Sequence, residues 1–485
     1  MKVLMTGATG LIGKELGKHL VEQGHTIVAL TRNELRARQN LPYPAEIVEW
    51  DWRDPILSKA SEKVLQDVDV VVNLMGENLF ARRWSDSFKR ELAESRVDST
   101  LELISTLIPI VKPKAWIQAS AIGFYGASKS GEGFTELSPK GDDFLADLCE
   151  QWEETLEQLP TDVRRVVIRT GAVFSHKGGA FQKMATPFLN DFGGRIGSGA
   201  QQMSIIHLVD VARFLAEAIE DGTANGVFNL VCDETISQKE LSEKVAERMH
   251  VKQGPAIPPL AIKVALGEMG GVILNSQEVK NTRFSDVDFQ LKYPSVDSIL
   301  KEVCSWYDHP FGEKHAVFSL YAEQFIPKPV EEVFPFFSNA GNLEKLTPSF
   351  LGFEILSPVK SKIERNTEIE YRVRLHGVPI HWVSDILVWE PPTLFVDHQK
   401  KGPYSLWHHE HRFKPVTGGT LIVDHVRFKL PAGIFGKWIG YPKVKSDLDK
   451  IFSYRREILE KVFRENRKQA SRSRRAQSQS REMHP

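Results

Sequence analysis

The first thirteen residues constrain this chain more than any other stretch. Lys2, Val3, Leu4 and Met5 read as a short strand, Gly7, Gly10 and Gly13 come next at three-residue spacing, and Leu16, Leu20 and Val21 then fall on one helical face. Strand, glycine turn and helix in that order open a βαβ unit. A pyrophosphate must approach the backbone N–H groups at a helix N-terminus closely, and a Cβ in its path would hold it off. Gly7 is therefore assigned to the turn, Gly10 to the phosphate and Gly13 to helix-on-strand packing. Thr9, Leu11 and Ile12 supply the adjoining backbone, and a dinucleotide is the expected ligand.

The next segments of the chain extend that unit. A second strand at 26–31 ends at Arg32, about twenty residues past the glycines, where an acidic side chain would hold an NAD ribose. A guanidinium there pairs instead with a 2′-phosphate, so NADP is the expected cofactor, and Glu34 keeps NAD as the alternative. A third strand at 46–50 leads to Asp51, whose carboxylate is placed toward the adenine. The run 68–74 is nearly continuously apolar, as a parallel strand covered on both faces should be. It passes through Asn73 to Leu74 and Gly76, which are expected beside the cofactor. One long helix is expected over 85–107, with Arg96 solvated on it. A further strand at 115–120 delivers Ser120, with Tyr125 just beyond, to the carboxyl edge where open α/β sheets hold ligands.

These motifs carry a resemblance. The glycine turn, Asn73 to Gly76, Ser120 to Gly126, and Ile168-Arg169-Thr170-Gly171 resemble the extended short-chain dehydrogenase/reductase superfamily. Arg83-Trp84, Ser95-Arg96, Gly123-Phe124-Tyr125-Gly126, Cys149 with Trp152-Glu153, and Gly197-Ser198-Gly199 narrow it to a branch of uncharacterised NAD-dependent epimerase-like proteins. Pro258-Pro259-Leu260 through Gly267-Glu268-Met269 match the short C-terminal segment of that branch. The resemblance spans about residues 1–305, with the segment at 254–303. It implies a Rossmann-like parallel sheet and epimerase or reductase chemistry on an unknown small molecule, a nucleotide sugar or a hydrophobic compound. The alternative is a redox or ligand sensor that binds dinucleotide without turning it over.

One element departs from the superfamily. A serine after this strand and a Tyr-x-x-x-Lys on the next helix perform its proton chemistry, the lysine and cofactor lowering the tyrosine pKa. Ser120 matches. The helix at 143–153 has neither tyrosine nor lysine, since its registers offer Phe144 with Leu148 or Leu145 with Cys149. Ser120 and Tyr125 stand as the catalytic candidates, Tyr125 being as well suited to lining the pocket. Cys149 reads as an inert buried thiol. Gly193 to Gly199 reads as a substrate-side loop carrying Arg195, His207 is the second substrate-side candidate, and Asp210 reads as a helix cap.

From about 318 the period changes to two. Alternating runs at 318–325, 367–375, 382–389, 394–398, 405–413 and 420–430, separated by Gly and Pro turns, indicate an antiparallel sheet. A short helix opens at Pro329 and a long amphipathic one spans 444–463. Pro329 to Phe334 and Trp407 to Phe413 resemble the START/polyketide-cyclase superfamily over 315–465, which implies an α+β helix-grip domain around a hydrophobic ligand. His409 and His411 share a strand face, and a metal would need further ligands from other strands, with His381, His398 or His425 as candidates; nothing in the spacing compels that, so pocket or surface histidines are expected and no metal. The tail at 466–485, basic and rich in Ser and Gln, is expected to be disordered.

The 62 basic and 63 acidic side chains nearly cancel, which argues against nucleic acid as a partner. No apolar run is long enough for a bilayer, and Met1 leads straight into the first strand with no signal peptide. Three scattered cysteines fit a reducing compartment, so the cytoplasm is the expected location.

Overall fold

Seven parallel strands organise the first half of the chain. They are β1 (Lys2–Thr6), β2 (Thr26–Thr31), β3 (Glu46–Glu49), β4 (Val70–Asn73), β5 (Ala115–Ala121), β6 (Arg164–Thr170) and β9 (Gly226–Leu230). Their spatial order is β3-β2-β1-β4-β5-β6-β9. The chain winds outward from β1 to β3, then returns to pair β4 against the free side of β1, with Thr6 opposite Asn73. That reversal leaves a crevice at the carboxyl ends of β1 and β4. All four residues of β4 are buried, the consequence of cover on both faces. Trp50, Val71, Leu103, Trp116 and Leu156 share a core cluster on one side of the sheet. A smaller sheet, β10-β8-β7, is built from β7 (Ala172–Ser175), β8 (Gln202–His207) and β10 (Thr235–Ser237).

The computed structural model describes all residues except 129–132, 357–362, 376, 432–439 and 483–485, with backbone alone at 375 and 464–482. It divides into two compact units, residues 1–38 with 45–316 and residues 39–44 with 317–485. No helix among the described residues is long and apolar enough to cross a membrane.

In the second unit seven antiparallel strands run in the order β11-β17-β16-β15-β14-β13-β12. These are β11 (Phe318–Ile326), β12 (Glu354–Ile355), β13 (Glu368–Leu375), β14 (Val378–Glu390), β15 (Leu394–Lys401), β16 (Leu406–Val416) and β17 (Gly419–Lys429). Register shifts at Val383/Ser384 and Ile386/Val388 interrupt the β14–β15 ladder, and such irregularities bend a sheet. Phe395, Phe413 and Ile422 from the sheet pack against Val333, Phe334 and Phe337 of the helix Val330–Phe337 and Leu459 and Phe463 of the C-terminal helix.

Three sequence expectations change here. The stretch 85–107 is two helices, Asp86–Glu94 and Val97–Leu107. The break falls where the Ser95 hydroxyl accepts from the Glu77 N–H at 3.0 Å and the Arg96 side chain turns inward. The two-residue β12 was too short to show alternation. The C-terminal helix runs from Tyr441 to Glu482, longer than the expected 444–463. Residues 443–482 contain neither Gly nor Pro and are rich in Arg, Lys and Glu, all of which support a helix.

Candidate functional site

The glycine turn lies at the head of the crevice, and its geometry explains each glycine. Gly7 has φ +63°, and a Cβ on it would stand 2.5 Å from the Leu74 carbonyl oxygen. A Cβ on Gly13 would meet the Gly7 carbonyl oxygen at 2.4 Å. On Gly10 it would approach only that same oxygen, at 3.1 Å, and otherwise project into the opening. α1 (Leu11–Glu22) starts at Gly10 with no side-chain cap and no acidic residue in its first turn. Several other helix starts are closed by hydroxyls or carboxylates, including Ser58, Ser85 and Asp143, although those at Arg96, Gly178, Pro258 and Pro329 also lack a side-chain cap. An uncapped N-terminus behind a Cβ-free approach suits an anionic group such as a pyrophosphate. Thr9 and Gly10 are exposed and Leu11 and Ile12 half-buried at this mouth.

Arg32 is exposed at the end of β2. Glu34, the residue that kept NAD in play, is committed: its carboxylate pairs with Arg38 one helical turn on. Asp51 lies just past β3, and its carboxylate accepts the Arg53 N–H at 3.0 Å, closing a tight turn. On the β4 side, the Leu74 N–H donates to Thr6 Oγ1 at 3.1 Å. A Cβ on Gly76 would stand 3.1 Å from the Arg96 guanidinium carbon. Arg96 is therefore not a solvated helix residue. It donates to the carbonyls of Leu92 at 3.2 Å and Glu77 at 2.8 Å, and lies over the Trp152 ring.

Below the crevice runs a buried polar network that the sequence pattern does not reveal. Thr6 Oγ1 donates to Asn73 Oδ1 at 2.6 Å, and Asn73 Nδ2 donates to Thr100 Oγ1 at 2.9 Å and Gln118 Oε1 at 3.0 Å. The indole N–H groups of Trp152 and Trp116 complete the same two acceptors, at 3.1 Å each. Its one signal in the sequence is polar residues within apolar strands, at Thr6, Asn73 and Gln118.

The two catalytic candidates sit beside this floor, and their hydroxyls are taken. Ser120 Oγ donates to Glu153 Oε1 at 2.5 Å. The same carboxylate accepts from Arg169 Nε at 2.9 Å and Nη2 at 2.6 Å. Tyr125 is 2% exposed. Its hydroxyl donates to Asn229 Oδ1 at 2.8 Å and accepts from Arg169 Nη1 at 3.0 Å. Burial raises the Tyr125 phenol above its ordinary value, against the pull of Arg169. Burial, with Glu153 adding to it, pushes the neighbouring Cys149 thiol up to about 11, which keeps it in the unreactive form.

The substrate-side candidates do not converge. His207 is 2% exposed; its Nδ1 accepts the Val209 N–H at 3.2 Å, capping the helix Leu208–Glu220, and its Nε2 pairs with Glu302 at 2.9 Å. Both ring nitrogens are thus engaged. The capping role expected of Asp210 belongs to His207, while the fully buried Asp210 carboxylate accepts the N–H groups of Lys292 and Tyr293 at 2.7 and 2.9 Å. Arg195 is exposed. Its loop pairs with the later segment, Ile257 N–H to the Arg195 carbonyl at 2.8 Å and Gly197 N–H to the Ile257 carbonyl at 2.8 Å.

The second unit encloses a cavity of about 240 Å³ lined largely by aromatic and aliphatic side chains, including Phe337, Ile386, Trp407 and Phe452. Its polar wall is Asp397, His409, His411 and Arg455, with Asp424 behind them. His411 pairs with Asp397 at 2.9 Å and Asp424 at 2.8 Å; His409 pairs with the same two carboxylates at 3.5 and 3.1 Å. Burial alone would raise Asp424, but Arg455 and the imidazoles outweigh it and hold the carboxyl well below the usual range. Strand alternation placed His409 and His411 on one face correctly, but their partners are carboxylates and not the other imidazoles. His381 pairs with Glu370, His425 contacts Ser319, and the His398 ring lies beside that of His408.

The first unit has close relatives among known proteins. A family model described as the NAD dependent epimerase/dehydratase family matches residues 3–230, and a domain of unknown function, DUF1731, matches residues 257–303. A chloroplastic SDR39U1 homolog of Arabidopsis thaliana, called an epimerase family protein, is 33% identical over 312 residues, 62% of this chain and 86% of that protein. The human epimerase family protein SDR39U1 is 31% identical over 309 residues, covering 62% and 99%. A crystal structure of the human protein (isoform 2) with NADPH superposes with a TM-score of 0.56 at 30% identity, covering 63% of this chain and 99% of that one.

Proposed function

This chain belongs to the NAD dependent epimerase/dehydratase family, and on that footing we propose that its N-terminal unit holds NADP(H) across the β1–β4 crevice and acts on a small molecule there. The observation that carries the reading is the glycine cradle, open only toward the uncapped start of α1. The NADPH of the solved human relative supports it. In this reading Gly7, Thr9, Gly10, Leu11, Ile12 and Gly13 form the pyrophosphate cradle, Arg32 meets the 2′-phosphate, Asp51 lies toward the adenine, and Leu74 and Gly76 flank the dinucleotide on the β4 side. A bound nicotinamide would supply or accept a hydride. NADP is preferred to NAD because Glu34 is paired with Arg38 while Arg32 is exposed.

Ser120 and Tyr125 brace the floor in this reading, because both hydroxyls are spent on Glu153, Asn229 and Arg169. That observation, with neither tyrosine nor lysine on the helix Phe144–Glu154, favours a second reading: a protein that binds the dinucleotide and reports on it without turning it over. For the second unit we propose a START-like helix-grip domain whose cavity takes a hydrophobic ligand, supported by the apolar lining and the long C-terminal helix packed on the sheet. The three buried free cysteines suit a reducing compartment such as the cytoplasm.

The test is calorimetric titration with NADPH and NADH. Gly10→Asp sets a carboxylate against the pyrophosphate and should weaken NADPH binding at least about 100-fold; unchanged affinity would remove the site. Steady NADPH consumption against a panel of carbonyl compounds and nucleotide sugars would decide for turnover, and NADPH surviving the whole panel would decide for the sensor.

A further inference from the structure

The polar wall of the second unit's cavity is arranged as a metal centre. We propose that Asp397, His409 and His411 bind one divalent transition metal of the zinc class, with its fourth position open to the cavity. The inference is independent of the dinucleotide site and of which apolar molecule fills the cavity.

Strand register assembles the donors. His409 and His411 are two apart on β16 and so project from one face. Asp397 on β15 is the cross-strand partner of His409, and Asp424 on β17 is that of His411. Three adjacent strands thereby deliver two imidazoles and two carboxylates to one spot.

The two carboxylates differ in their surroundings: Asp397 falls in one donor group with the imidazoles, whereas Asp424 is held by Arg455. Asp397 Oδ2 lies 2.9 Å from His411 Nε2 and 3.5 Å from His409 Nδ1, and one donor atom from each of the three residues lies within 4.8 Å of the others. Donors around a tetrahedral zinc, each about 2.0–2.1 Å from the ion, are about 3.3 Å apart. The remaining nitrogen of each ring faces the same carboxylate, His409 Nε2 at 3.1 Å and His411 Nδ1 at 2.8 Å from Asp424 Oδ1, with Arg455 Nη2 also 3.3 Å from His411 Nδ1. A metal-binding histidine characteristically gives its other N–H to a carboxylate, which fixes the tautomer and aims the ring. Asp424 serves both rings and is itself held by Arg455 Nη1 at 3.2 Å. The tilted imidazoles, centroids 3.7 Å apart, and the stacking of His411 on Phe395 leave little freedom to reorient.

Donor chemistry narrows the ion. Two imidazoles and one carboxylate suit zinc and its neighbours, whereas magnesium and calcium prefer oxygen alone. Three protein ligands with an open position is the pattern of zinc sites that bind water or a substrate oxygen. With Asp397, Asp424, Arg455 and a divalent ion the site carries one net positive charge, so the complementary ligand is an apolar molecule ending in an oxygen donor, above all a carboxylate or enolate.

The test uses the untagged full-length protein, stripped with a chelator. Zn(II) is titrated by calorimetry, and Co(II) uptake is followed through its visible d–d bands. The expected result is one equivalent per chain with the intense bands of tetrahedral Co(II). His409→Ala and His411→Ala should abolish it, Asp424→Asn should weaken it about 10- to 100-fold, and His398→Ala should leave it unchanged. Circular dichroism of each variant separates loss of the site from loss of the fold; should an alanine variant unfold, Asp397→Asn, close to isosteric, takes its place and should lower affinity. No stoichiometric uptake by the stripped wild type, or uptake that survives the His409, His411 and Asp397 substitutions, would overturn the proposal and leave a proton-bridged ion cluster.

Discussion

Glu153 is the acceptor on which the floor beside the crevice depends, and Glu153→Ala should destabilise the first unit severely. The substitution removes three hydrogen bonds, one from Ser120 Oγ at 2.5 Å and two from Arg169 at 2.9 and 2.6 Å. It leaves the Arg169 guanidinium, on a residue only 5% exposed, over the Phe124 ring with the Tyr125 hydroxyl as its remaining side-chain acceptor. Removing one partner of a buried ion pair costs about 3–5 kcal/mol, chiefly because the other charge stays buried. Hydrogen exchange read by mass spectrometry isolates the effect within a two-unit chain. Amides of β5 and β6 should exchange about one hundred to a few thousand times faster, while those of β16 serve as the unchanged control. Replacing both partners with apolar residues, Glu153→Leu with Arg169→Met, should recover much of the loss. An acceleration of less than about fivefold in Glu153→Ala, equivalent to roughly 1 kcal/mol, would show that the pair does not brace the floor.

Single groups elsewhere carry further expectations. Gly13→Ala puts a Cβ 2.4 Å from backbone at Gly7 and should lower the melting temperature and NADPH affinity together, whereas Gly24→Ala, with open space but φ +86°, should cost about 1 kcal/mol and leave NADPH binding intact. Arg32→Ala should weaken NADPH about tenfold and leave NADH nearly unchanged, measured by nicotinamide fluorescence. Burial alone would raise the Glu15 carboxyl, but Lys177 and Lys18 outweigh it and hold it at about 2 against an ordinary 4.5. Its contribution, roughly 3 kcal/mol at most, is therefore present above pH 4.5 and lost as pH falls toward 2, and Glu15→Gln should flatten acid unfolding curves over that window. Cys149, Cys232 and Cys304 are buried with thiols raised to about 11, 11 and 12. Native protein at pH 8 should resist a thiol reagent that titrates all three after denaturation.

The glycine turn was legible because its signal is local. A glycine needed for φ +63° or for a close backbone approach leaves its mark at that position, and the uncapped start of α1 lies within the same few residues. The parallel sheet was legible too, since strands covered on both faces must be apolar throughout, as β4 is. Arg96 was misread because a guanidinium looks alike in sequence whether it faces water or the carbonyls of Leu92 and Glu77. Ser120, Tyr125 and His207 were chosen for their places near the expected ligand, but their partners Glu153, Arg169, Asn229 and Glu302 lie 33 to 104 residues away along the chain.

By itself the sequence determined many of the strands and helices, where the chain changes from a parallel to an antiparallel architecture, and where the backbone of a strand-to-helix turn lies bare. Those properties depend on a residue and its near neighbours. Only the tertiary structure decided which polar groups are already satisfied. It showed Ser120 and Tyr125 closed in a buried ion network, and it set Asp397 and Asp424 across from His409 and His411 on neighbouring strands. Whether a side chain is free to act depends on what faces it across the fold. Strand register determines that for residues far apart in sequence, and a one-residue slip in register would have turned both carboxylates to the opposite face.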